Sequence, residues 1–75
     1  MKFPSREKIA ELRKQYRGKR IKILLMNDAQ APPVGTTGTC WDVDDAGSLL
    51  MEWDNGSGLN LLPGVDLFQI VGEGA

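Results

Sequence analysis

Four carboxylates stand near one another in the middle of the chain: Asp42, Asp44 and Asp45 within "DVDDAG", and Asp54 in a following connector. Such a group could hold a divalent cation, and Cys40, just upstream, could act as a nucleophile. Each chemistry asks for more than is present. A calcium site takes about six to eight oxygens at ordered spacing, and "DVDDAG" lacks both the distal glutamate and the length of an EF-hand loop. Asp44 and Asp45 are expected to be turn residues that accept their own backbone N–H groups. The chain has no histidine, so Cys40 lacks the usual neutral-pH base. One cysteine without histidine offers no zinc ligand set. The expectation is a protein that is not an enzyme and uses no cofactor and no metal.

A second stretch, "MEWDNGSGLNLLPGVDLF", could suggest a phosphate loop. Such a loop opens a helix and ends in lysine; here a strand-like run follows, no lysine is present, and Asp54 would repel the anion. Leu49, Met51 and Trp53 alternate before "DNGSG", and Leu59 and Leu61 after it. Asn-Gly between alternating apolar runs is a hairpin signal, predicting positive φ at Gly56 in a type I′ or related turn.

The remaining elements follow from periodicity. Residues 5–17, "SREKIAELRKQYR", predict an amphipathic helix: Ser5 is a good N-cap, Ile9, Leu12 and Tyr16 share one stripe, and Gly18 is a natural stop. So thin a stripe must dock on something. "RIKILLM" (20–26) predicts a strand, followed by a Pro/Gly-rich loop over 27–38. "TCWDVDD", "SLLMEW", "LNLL" and "LFQIV" complete five strands, with a β-bulge near Trp41–Asp42 where Cys40 and Val43 break alternation. The predicted fold is mostly β, a five-stranded SH3-like barrel over 19–72 preceded by the helix docked upon it. Expected inward residues are Ile21, Ile23, Leu25, Cys40, Val43, Leu49, Met51, Trp53, Leu59, Leu61, Phe68 and Ile70. Leu24, Met26, Leu50, Leu62, Leu67 and Val71 take the opposite parity; the helix would cover some, and any remainder would form an exposed patch.

Seventy-five residues make one small domain that needs nearly every apolar group for its core. The start lacks the apolar region of a signal peptide and no run approaches a membrane span. With the lone cysteine, this points to the cytoplasm. The formal net charge of −1 conceals an asymmetry. Residues 1–18 carry six basic groups against two acids, and residues 19–75 carry three against eight. The basic end either seeks nucleic acid or an acidic protein, or lies against its own acidic body.

"VGTTGTCWDVDDAG", the run Trp53 to Leu59 and the run Pro63 to Phe68, with the helix "PSREKIAELRKQY" before them, resemble a family of small bacterial and phage proteins, domain of unknown function family 4314. Cys40 stands where the family motif has valine. The likeness spans nearly the whole chain, implies a phage or mobile element as its setting, and transfers no catalytic residue. The hairpin alone is similar to the end of the SH3-like barrels of Mind-bomb and HERC-type ubiquitin ligases, which bind peptides. Met51 replaces the valine of that motif, and Leu61 and Leu62 replace its tyrosine-arginine pair, so the barrel shape is implied and the peptide specificity is not.

Two sets of residues could bind a partner. Trp41, with Asp42, Asp44 and Asp45, could anchor a basic or proline-rich peptide, because aromatics dominate binding hot spots. Alternatively Trp41 packs under the helix or the "APPVG" loop, which the shortage of large apolar groups in a short chain favours. The second set is Lys8, Arg13, Lys14 and Arg17 on the helix, an alternative contact for nucleic acid. The acidic body, the lack of a stacking row of aromatics and the absence of a base-reading motif oppose it. The leading expectation is a non-enzymatic module that binds an unidentified protein or peptide, with no membrane role.

Overall fold

The Ser5 hydroxyl accepts the backbone N–H of Lys8 at 3.1 Å and so starts the helix α1, Arg6–Tyr16. Glu7 lies in its first turn and Arg13 and Lys14 in its last, each sign at the end the helix dipole favours. The chain leaves through Gly18, whose φ of 81° suits glycine, and the Gly18 N–H donates to the Cys40 carbonyl at 2.7 Å. The computed structural model describes residues 4–26, 29 and 31–73. Asn27, Asp28 and Gln30 of the expected loop lie outside the described residues.

Among the described residues four strands follow: β1 (Lys19–Leu25), β2 (Thr37–Val43), β3 (Leu49–Trp53) and β4 (Leu67–Glu73). They form one antiparallel sheet in the order β3-β2-β1-β4. The expected five-stranded barrel is thereby corrected to an open four-stranded sheet preceded by one helix. The missing strand is "LNLL", which makes only an isolated bridge in which Leu61 and Leu49 exchange backbone bonds of 2.8 and 3.1 Å. Side chains take over the neighbouring ladder positions. The Met51 N–H donates to Asn60 Oδ1 at 3.3 Å, and the Trp53 indole N–H donates to the Leu59 carbonyl at 2.6 Å. β2 also begins two residues earlier than expected, at Thr37.

The bulge expected near Trp41–Asp42 is present: Cys40 pairs with Met51 and Asp42 with Leu50, leaving Trp41 as the extra residue. The connector after β3 places Gly56 at φ 89° and no non-glycine residue at positive φ. Asn55 therefore does not share the left-handed conformation that a type I′ turn requires, and the turn is of a related kind. It closes through Gly56 N–H to the Trp53 carbonyl at 3.0 Å and Trp53 N–H to the Ser57 carbonyl at 3.2 Å.

The core comprises Ile9, Leu12, Ile21, Ile23, Cys40, Val43, Leu49, Met51, Trp53 and Leu61, with Tyr16, Met26 and Phe68 packed against it. Tyr16 meets Phe68 edge-on at a ring separation of 5.6 Å. The helix stripe thus closes the inner cluster rather than covering the residues of opposite parity. Leu24, Leu62, Leu67 and Val71 stay exposed. Two expected core residues are also exposed, Leu25 at 53% and Ile70 at 42%. A register shift between Ile23 and Leu25 breaks the alternation that would have turned Leu25 inward. Ile70 lies on β4, the end of the sheet, which among the described residues has a strand neighbour on one side only. Leu59 and Phe68 are half-buried.

Candidate functional site

Arg13, on the last turn of α1, reaches across to β2. Its Nε donates to Asp42 Oδ1 at 3.1 Å and to the Val43 carbonyl at 3.1 Å, and Nη2 donates to the same carbonyl at 2.8 Å. The Val43 N–H donates to Asp42 Oδ1 at 2.8 Å. That backbone bond, with the nearby charges of Arg13 and Arg17, lowers the Asp42 pKa against a partial loss of solvent. The Cys40 thiol donates to the Asp42 carbonyl at 3.2 Å and is wholly buried, which pushes its pKa up. A raised thiol pKa and no access suit packing rather than nucleophilic attack.

Trp41 therefore stands between two tied neighbours. It is 55% exposed, which corrects the expectation that it packs beneath the helix or the loop. Ile9, Leu12, Cys40 and Val43 already fill the core there, and the bulge leaves Trp41 outside it. Of the other expected binding residues, Asp44 Oδ1 accepts Ala46 N–H at 3.0 Å and Ser48 N–H at 2.9 Å. It is a turn residue, as its position in "DDAG" predicts. Asp45 is exposed at the tip of that turn; Lys8 and Lys14 on the helix are exposed too, as is Arg17 just past its end. The two candidate sets meet at one point, where Arg13 of one engages Asp42 of the other. Among the described residues no group of three or more acidic, cysteine or histidine side chains could hold a metal ion.

A second constellation was not anticipated. Arg20 Nη1 donates to Thr39 Oγ1 at 3.0 Å and to Asp54 Oδ1 at 2.9 Å, while Nη2 donates to Thr37 Oγ1 at 3.2 Å and to Asp54 Oδ2. Thr37 Oγ1 also donates to Asp54 Oδ2 at 2.7 Å. This forked latch ties β1, β2 and the turn after β3, beside an open hollow of about 540 Å³ lined by Thr39, Glu52, Trp53, Asp54 and Gly56. The sequence signal, an arginine and two threonines at alternate strand positions, becomes readable only once Arg20 is paired with Thr39.

The sequence matches a family model over residues 5–71, under the description Domain of unknown function (DUF4314). The chain belongs to that family. No curated protein and no solved structure matches it. Within this DUF4314 domain the match takes in α1, all but the end of β4, and both constellations.

The latch gives the DUF4314 domain a pH dependence of defined sign. Hydrogen bonds from Arg20 and then Thr37 bring the Asp54 pKa down to about 2, outweighing a partial loss of solvent. An unfolded aspartate titrates near ~3.9. The latch's contribution to stability is therefore complete above that value and is lost as pH falls through about 2. The wild type should melt higher than Asp54→Asn at neutral pH, and the gap should close across this acid window. A gap that persists unchanged at the acid end would show that the carboxylate charge is not what the latch uses.

Proposed function

We propose that this DUF4314 domain is a non-enzymatic interaction module that binds a protein or peptide through Trp41. The observation that carries this reading is the exposure of Trp41, 55%, on a strand whose flanking residues are tied down. A large aromatic on a backbone fixed before binding has less conformational freedom to lose on contact, which favours a hot spot. Exposed Asp45 and the acidic balance of residues 19–75 suit a basic or proline-rich segment as the partner. The resemblance to small bacterial and phage proteins suits a phage or mobile element as the setting, and the lone cysteine suits the cytoplasm as the location. No helix among the described residues is long and apolar enough to cross a membrane.

The test is capture of a partner from the native host by the wild-type chain and by Trp41→Ala, followed by titration of the captured protein. Trp41→Ala should retain the wild-type melting midpoint and weaken binding by roughly thirtyfold or more, the effect of losing a hot-spot aromatic. Equal capture by both would end this reading. The other reading, an accessory nucleic-acid-binding protein, is favoured only by the exposure of Lys8, Lys14 and Arg17, since Arg13 is engaged with Asp42 and Val43. Tight duplex or single-strand binding that weakens steeply with salt, and that Arg17→Glu abolishes, would make it the better one.

A further inference from the structure

The two ends of the sheet are finished differently. At β3, the bridge to Leu61 and the bond from Met51 N–H to Asn60 occupy part of the edge. At β4 no strand lies beyond it among the described residues. Proteins usually blunt such an edge with lysine, proline, a β-bulge, a covering segment or a very short strand, and of these β4 has only a bulge toward its C-terminal end. β4 has seven residues, "LFQIVGE", with no proline or lysine. Its one charge, Glu73, is paired with Lys19 of β1. Leu67, Ile70 and Val71 are all exposed on this strand, and Leu25, the cross-strand partner of Leu67, is exposed behind it with Leu24.

We propose that β4 is the contact face of a homodimer, in which a second copy pairs antiparallel with the first about a two-fold axis at Gln69. A two-fold perpendicular to the sheet keeps each face of one copy continuous with the same face of the other, so paired residues must share parity. Centred on Gln69, this register sets Phe68 opposite Ile70 of the second copy and Leu67 opposite its Val71, apolar against apolar on both faces. Centring on Ile70 would instead set Leu67 opposite Glu73. The register shift at Arg20/Ile21 makes Val71 the extra residue of β4 and so marks the end of the paired stretch. Self-repulsion is small because each chain carries a net charge of only −1.

The area fits a small dimer interface. Leu67, Ile70 and Val71, exposed by 42–58% on the edge strand itself, leave on the order of 250 Å² of apolar surface per copy, at the small end of what a stable interface buries from each partner.

The test uses the full chain and the identity of the axial pair. Wild type should shift from monomer to dimer with rising concentration in sedimentation equilibrium. Gln69→Lys and Gln69→Glu, each alone, place like charges against each other at the axis and should weaken association by about a hundredfold. An equimolar mixture of the two should restore a dimer containing one chain of each, while melting of the dilute monomers stays close to wild type. A wild type that remains monomeric at every concentration overturns the proposal. So does a dimer indifferent to both variants, or a mixture that stays monomeric. Trp41→Ala should leave the dimer unchanged, so failure of this face and failure of the Trp41 reading are separable.

Discussion

Leu12→Asp should lower the melting midpoint by about 15–30 °C. Leu12 is buried in the cluster that joins α1 to the sheet, and its Cδ1 lies 3.7 Å from where a side chain on Gly47 would begin. Deleting a buried leucine costs about 2–5 kcal/mol, and the introduced carboxylate would have to be desolvated or force the helix away. A loss near ~4 kcal/mol corresponds to that fall for a domain of this size, at about 4–8 °C per kcal/mol. Against a stability at the low end of the usual ~5–15 kcal/mol, much of the protein would be unfolded at ordinary temperature. Leu12→Met, which keeps the volume, should stay within about 1.5 kcal/mol of wild type. If the aspartate variant melts with the wild type, α1 is a free arm, and the bond from Arg13 to Val43 does not hold it in solution.

The parts of the fold that were legible in the sequence are those decided within a few residues. Ser5 and Gly18 bound the helix because capping is a local transaction between a side chain and the nearest backbone groups. Gly56 at positive φ and the bulge at Trp41 were readable for the same reason. What failed depended on register. The alternation in "LNLL" is that of a strand, yet Asn60 and Trp53 use side chains to satisfy the groups a ladder would have used. Leu25 and Ile70 have the right residue type, but a register shift and a place at the sheet's edge leave them in water.

The site shows the same division. Trp41 and Asp42 were conspicuous as residues, and the chemistry of each was predictable. Their fates were not, because Arg13 meets Asp42 across 29 positions of chain and the long loop before β2 hides the pairing of Arg20 with Thr39. Charge bookkeeping did anticipate one outcome: a basic helix joined to an acidic body can lie against that body. Arg13 does so, which leaves exposed Trp41, rather than the full set of helix cations, as the more distinctive feature of this surface.

Gly38→Val should be the other severe substitution, for a reason the sequence alone conceals. Gly38 is cross-strand to Trp53, and a Cβ built there would lie 2.7 Å from both the Glu52 carbonyl oxygen and Trp53 Cε3, and 2.9 Å from Trp53 Cα. Two of those atoms are backbone, so no rotamer change relieves the contact; β3 itself must move. Trp53 is held by its indole bond to the Leu59 carbonyl at 2.6 Å and is almost wholly buried. Moving it opens the core and strains the bond from Asp54 N–H to the Thr37 carbonyl at 2.9 Å. Overpacking costs about 1–3 kcal/mol and displacing a large aromatic about 3–5 kcal/mol, so a loss of roughly 4 kcal/mol or more is expected. Gly58, where an added Cβ meets nothing within 4 Å, supplies the control: Gly58→Ala should melt within a few degrees of wild type, or slightly higher through a less flexible unfolded chain. Urea denaturation followed by tryptophan emission in a Trp41→Phe background would report Trp53 alone. If Gly38→Val and Gly58→Ala then unfold at the same urea concentration, β2 and β3 are not packed as closely as the structure places them.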